Sequence, residues 1–148
     1  MSDVILGARE RTVIDTLRET IHGGMGYRML MLGDGCVATE SDDDYARYAK
    51  MFVAIRTAKP LGGTLAIIGG GFSILSRGFV GLPYTITTYE IIPELSRYCT
   101  VGTFVEGDWH TTLTGTYDII VLDTGEQGCR SELEAHLNEG GLIVGLSE

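Results

Sequence analysis

A glycine triplet and three acidic residues fall at comparable places in this sequence. Gly69-Gly70-Gly71 follows the apolar run TLAII, Glu90 ends YTITTYE, Gly107-Asp108 follows TFVE, and Asp123 follows YDIIVL. Residues that just outlast buried strands stand at the carboxyl edge of a parallel sheet, where open α/β sheets bind their ligands. Glycines there let backbone approach a ligand closely. An acid 21 positions after Gly69 falls where the end of the next strand can accept hydrogen bonds from a ribose diol. This is the chemistry of holding a nucleoside. It is not the dinucleotide fingerprint, because Ile74 stands where GxGxxG carries its last glycine. Tight packing of a strand on a helix also explains a glycine triplet; Glu90, Asp108 and Asp123 at successive strand ends are what favour a ligand.

The elements that must position these residues follow from periodicity. Val13, Ile14, Leu17 and Ile21 share one face at helical spacing, which predicts a helix over 8–21 stopped by His22-Gly23-Gly24. Gly33-Asp34-Gly35 between two β-prone arms predicts a hairpin, and Asp34 is explained by that turn. Ser41 is placed to cap a helix whose first turn holds Asp42, Asp43 and Asp44, and Tyr48, Met51, Phe52 and Ile55 form its apolar stripe. Beyond Lys59-Pro60 the pattern alternates. Strands are expected at 64–68, 84–90, 103–105, 117–123 and 142–146, and helices near 72–79, 92–99 and 130–138. Nearly unbroken apolar strands suit a parallel sheet covered on both faces. The expected fold is a doubly wound, mainly parallel α/β sheet of Rossmann-like type with a small N-terminal helix and β-hairpin. We expect one domain over 1–148, with 1–60 forming the N-terminal helix, hairpin and helix and 61–148 the Rossmann-like core.

Composition bounds the partners. The 148 residues carry a net charge of −9, which disfavours nucleic acid and anionic lipid, since both need Lys and Arg to displace counterions. Apolar runs of four to eight residues are too short to span a bilayer, and MSDVILGARERT lacks a secretory signal. A cytoplasmic location is expected. Cys36, Cys99 and Cys129 are odd in number, with no CxxC and no histidine at ligand spacing, so neither a disulfide nor a metal is expected. The chain ends just after the apolar strand GLIVGL, which has no Lys or Pro to discourage edge pairing; a homo-oligomer is the expected solution.

The ordered motifs carry a family resemblance. LMLGDGCVATESDDDYARYAKM resembles the hairpin and tyrosine-containing helix of spermidine synthases, aminopropyltransferases with the class I methyltransferase-type fold. LAIIGGGFSILSR resembles their strand and glycine-rich loop, TTYEIIPEL their ribose-binding strand end, FVEGDWHTTL their adenine segment, YDIIVLDTGE their catalytic strand and LNEGGLIVGLSE their closing strand. The resemblance covers roughly 27–148. It implies that Glu90 and Ile91 meet the ribose, that Gly107, Asp108 and Trp109 meet the adenine, and that Gly69, Gly70, Gly71, Phe72 and Tyr48 lie around the sulfonium arm. It implies Asp123, with Glu126, as catalytic residues. The implied ligand is S-adenosylmethionine or its decarboxylated form, as substrate and with no further cofactor.

The departures from that family concern the amine. Phe72 replaces an Asp that helps hold the cationic aminopropyl arm, Ala49 replaces a polar residue, only Asp123 remains of an acidic catalytic segment, and about seven residues separate Asp123 from the next helix. Three functions stay open. The enzyme cleaves S-adenosylmethionine at the sulfonium with no external acceptor and releases methylthioadenosine; or it transfers an aminopropyl or alkyl group, with Asp123 and Glu126 taking the proton; or it binds a nucleoside or scaffolds an assembly without catalysis. Asp42, Asp43 and Asp44 read as a solvated helix start, and His22 and His136 as surface residues. Trp109 either covers an adenine face or seals the core edge. His110 is the histidine nearest the expected pocket, and Tyr48 and Tyr89 either line it or pack.

Overall fold

The computed structural model describes residues 17–21, 27–32 and 35–145. Two sheets form. β1 (Leu17–Ile21), β2 (Arg28–Leu32) and β3 (Gly35–Thr39) make an antiparallel sheet in that order. β4 (Gly63–Ile68), β5 (Tyr84–Glu90), β6 (Thr103–Glu106), β7 (Tyr117–Leu122) and β8 (Leu137–Val144) make a parallel sheet in the order β6-β5-β4-β7-β8. The order reverses beside β4, so the crevice at the end of that strand is the place for a ligand.

The central strands are apolar on both faces, as the sequence predicts. Leu65, Ile67, Ile119 and Val121 point into one core with Ile55, Leu75, Phe79, Tyr84 and Ile86. Ala66, Ile68, Ile120 and Leu122 point into another with Tyr89, Trp109, Leu113, Cys129 and Leu133. Helix α1 (Asp42–Ala58) contributes Ile55 to the first core, as α2 (Ile74–Gly78) contributes Leu75. The short α3 (Trp109–Thr112) and α4 (Arg130–Glu134) contribute Trp109 and Leu133 to the second. A third cluster of Leu30, Phe72, Ile92 and Leu95 joins the antiparallel sheet to the loops beyond β4 and β5.

Four expectations change. Residues 17–21 of the predicted 8–21 helix are strand β1, paired with β2 from Leu17↔Leu32 to Ile21↔Arg28; the remainder lies outside the described residues. Five residues fit either period, and an available ladder decides. Residues 93–98 form a 3₁₀ helix opened by Pro93 rather than an α-helix over 92–99. The last helix ends at Glu134, and β8 begins at Leu137, five residues earlier than the sequence reading. The register slips between Tyr117 and Ile119, so β8 carries a bulge around Asn138 to Gly141 that masks its strand pattern. The predicted turn residues 33 and 34 lie outside the described residues, while β2 and β3 pair on either side of them.

Candidate functional site

The carboxyl ends of β4, β5, β6 and β7 open on one cleft of 790 Å³. Backbone bonds align those ends: Gly69 N–H donates to Tyr89 O at 2.8 Å, Gly107 N–H to Glu90 O at 3.0 Å, and Asp123 N–H to Ile68 O at 2.8 Å. Gly69 has φ +88°, and a Cβ there would lie 2.8 Å from the Asp123 carbonyl oxygen. Only glycine lets the loop leave β4 this close to β7. Gly70 is buried, and a Cβ on it would lie 2.8 Å from Thr88 Cγ2. Packing therefore accounts for two of the three glycines, while Gly71 opens on the cleft.

Glu90 is 8% exposed. Its Oε1 accepts from Gly70 N–H at 3.0 Å and Gly71 N–H at 3.3 Å, and Oε2 accepts from Ile92 N–H at 3.2 Å. Burial raises its pKa above the ordinary carboxylate value in spite of those bonds. The carboxylate thus braces the glycine loop from beneath and reaches the cleft wall with it.

Asp108 caps α3 by accepting from His110 N–H at 3.0 Å. Trp109 packs inward at 5% exposure and donates from Nε1 to Glu126 Oε1 at 2.8 Å, so it both seals the core and lines the cleft. Glu126 also accepts from Thr124 Oγ1, and its Oε2 lies 2.7 Å from His110 Nε2. Burial opposes ionisation of Glu126, but the bonds from Trp109, His110 and Thr124 outweigh it and lower its pKa.

On the opposite wall, Ser41 and Asp44 form a capping box at the start of α1: Asp44 N–H donates to Ser41 Oγ, and Ser41 N–H donates to Asp44 Oδ2. This fixes the first turn, and the next turn presents Arg47 and Tyr48 to Asp123. Arg47 donates to Asp123 Oδ1 at 2.5 Å and lies over the Tyr48 ring at 4.2 Å; the Tyr48 hydroxyl donates to Asp123 Oδ2. Both Asp123 oxygens are engaged. Burial still pushes the Asp123 pKa upward, against the lowering effect of Tyr48 and Arg47. Burial and the Asp123 charge raise Tyr48 as well.

The structure brings together Tyr48, Gly69, Gly71, Phe72, Glu90, Ile91, Gly107, Asp108, Trp109, Asp123 and Glu126 as cleft lining. Gly70 stands behind the wall, and Phe72 is almost wholly buried between Leu30 and Ile92. The sequence reading missed Arg47, whose signal was its place beside Tyr48 and one turn after Asp44. It also missed the β3 residues Val37, Ala38 and Thr39, which wall the cleft because the small sheet folds over the glycine loop.

No protein-family model matches the sequence, and no curated protein matches it. Solved structures do. The glycopeptide N-methyltransferase MtfA superposes with a TM-score of 0.52 at 16% identity, over 65% of this chain and 52% of MtfA. A protein of Methanococcus maripaludis described as a candidate S-adenosyl-L-methionine-dependent methyltransferase gives 0.55 at 18% identity, over 70% of this chain and 57% of that one. The ribosomal protein L11 methylase of Lactobacillus delbrueckii subsp. bulgaricus gives 0.51 at 18% identity, over 71% and 62%. The chain spans about half the length of MtfA. At these identities the likeness establishes architecture: the chain has the Rossmann-like fold of class I methyltransferases, with a small antiparallel sheet beside it.

Proposed function

We propose that the cleft binds S-adenosylmethionine and cleaves it at the sulfonium without an external acceptor, releasing methylthioadenosine. The nucleoside half rests on Glu90 at the end of β5, Asp108 and Trp109 after β6, and the open Gly71 segment, in a fold shared with proteins named as methyltransferases. The observation that carries the finer reading is Arg47. Asp123 and Tyr48 hold its guanidinium at the cleft wall, beside the loop where the sulfonium arm belongs. A guanidinium there attracts a carboxylate and repels an ammonium. Arg47 is itself paired with Asp123 and lies 3.5 Å from Asp44, so its preference for the methionine arm over the decarboxylated aminopropyl arm is partial; the apolar Phe72 adds no further acid.

The reaction then needs little from the protein besides position. A carboxylate oxygen of the methionine arm attacks the carbon next to sulfur, the C–S bond breaks, and its electron pair goes to sulfur. Methylthioadenosine and homoserine lactone form, the sulfonium charge disappears, and no proton enters or leaves. Folding the arm into this geometry supplies most of the rate. Arg47 has a side chain 44% exposed, so its grip on the carboxylate is screened by water and does not quench the nucleophile. Asp123, with both oxygens engaged, acts as the residue that positions Arg47.

Aminopropyl transfer is the second reading, favoured by Asp123 and Tyr48, which the resemblance to spermidine synthases implies as a catalytic and an arm-lining residue and which here share a hydrogen bond. Calorimetric titration separates the two. The wild type binds S-adenosylmethionine about tenfold more tightly than the decarboxylated form, one such step being about 1.4 kcal/mol, and Arg47→Ala abolishes the difference. Tighter binding of the decarboxylated form by the wild type overturns the proposal and selects the transferase.

A further inference from the structure

Behind the cleft residue His110, Cys129 and Glu132 come in from the segment after β7, so that the ligand atoms of all three lie within 4.8 Å of one another. Cys129 is the residue preceding α4 and Glu132 follows three positions later, which sets both on the face of α4 that meets α3. His110 Nδ1 lies 2.8 Å from both Glu132 oxygens. Its other nitrogen, Nε2, lies 2.7 Å from Glu126 Oε2, and Trp109 and Thr124 fix that carboxylate in turn. A histidine held between two carboxylates needs a cation at each nitrogen; a proton serves at Nε2, and a metal ion can replace the one at Nδ1. A carboxylate on the far nitrogen of a ligating histidine is the usual outer support of a metal site, because it fixes the tautomer and the ring.

We propose that His110 Nδ1, Cys129 Sγ and a Glu132 oxygen bind a zinc ion, with water completing a tetrahedron. The donor set selects the metal: thiolate and imidazole favour zinc and leave magnesium and calcium without their oxygen cages. Tetrahedral zinc brings its ligand atoms to about 3.5 Å from one another, so the widest pair must close by about 1 Å. His110 Nδ1 and Glu132 already stand 2.8 Å apart, so the gap lies on the Cys129 side, and the exposed His110 and Glu132 must move together toward the buried Sγ to close it. Binding displaces the Nδ1 proton and the thiol proton, so affinity rises with pH. The ion pins the start of α3 to the start of α4, beside Trp109 and outside the Arg47–Asp123 wall. The absence of a CxxC motif conceals the site, because the sheet rather than local spacing assembles it.

The test uses the full chain, stripped with a chelator and titrated with Co²⁺ and then Zn²⁺, in a Cys36→Ser/Cys99→Ser background that removes the other thiols. One equivalent of Co²⁺ is expected to give a thiolate-to-metal charge-transfer band that Zn²⁺ abolishes. Cys129→Ser is expected to lose the band, His110→Asn to lose saturable binding, and Glu126→Gln to weaken zinc about 10- to 100-fold. Circular dichroism establishes that each variant is folded. An unsaturable titration in the background protein overturns the site, as does an unchanged band in Cys129→Ser. Neither readout depends on turnover or on a nucleoside.

Discussion

Glu90→Gln removes the charge beneath the glycine loop while keeping the side chain's shape. A carboxylate offers about four lone-pair sites. Gly70, Gly71 and Ile92 donate to three of them and the Ile91 N–H also bears on the carboxylate, so at most one ligand hydroxyl finds a place, sharing an oxygen with a backbone donor. The expected loss of nucleoside affinity is therefore one hydrogen bond to a charged group, about 1.5–3 kcal/mol, or about 10- to 150-fold in Kd. The amide keeps an oxygen for Gly70 and Gly71 but turns its own donors toward Ile92 N–H. A buried donor left without a partner costs about 1–3 kcal/mol of stability. Calorimetric titration with adenosine and urea denaturation measure the two losses separately. Wild-type protein titrated with 2′,3′-dideoxyadenosine should show the same loss of affinity without the loss of stability. Because burial raises the Glu90 pKa above 4.5, acidification weakens binding at a higher pH than for an ordinary carboxylate. A folded Glu90→Gln protein that binds adenosine within about twofold of wild type, well below the tenfold of one such bond, refutes the ribose role and leaves Glu90 as a loop brace.

Asp123→Asn tests whether Asp123 positions Arg47 or takes a proton: the positioning role predicts weaker S-adenosylmethionine binding with turnover changed only a few-fold, whereas a general base predicts a loss of about 100-fold in turnover at unchanged affinity. Steady-state and single-turnover kinetics separate the two. At the opposite end of the sheet, Asp118 accepts from Thr64 N–H at 2.9 Å and Asn138 Nδ2 at 3.0 Å, and these bonds lower its pKa. The stability this adds is complete above 3.8 and is lost as pH falls through the lowered value, so thermal melts between about pH 5 and pH 2 should decline less steeply in Asp118→Asn. An identical decline in the variant refutes the assignment.

The parallel sheet was legible because β4 and β7 bury both faces, and only continuous apolar runs flanked by turn residues produce that pattern. Glu90, Asp108 and Asp123 were legible for a related reason: a strand end is a position that sequence marks. Arg47 was not, since its role depends on how α1 docks, and an arginine on a polar helix face looks the same with or without a partner across the cleft. Strand β1 was misread because five residues satisfy both periods, and β8 because its bulge interrupts the alternation. The His110, Cys129 and Glu132 cluster was hidden for another reason. It comes together only when the loops after β6 and β7 lie side by side.

Incubation of the purified chain with S-adenosylmethionine alone, followed by mass analysis of the products over time, reads acceptor-free cleavage itself. Methylthioadenosine and homoserine lactone, or the homoserine formed by its hydrolysis, are expected in equal amounts with no acceptor added and at a rate proportional to protein. Intact S-adenosylmethionine after prolonged incubation with protein shown to bind it contradicts acceptor-free cleavage, as does methylthioadenosine that forms only from the decarboxylated substrate with putrescine, or S-adenosylhomocysteine in place of methylthioadenosine.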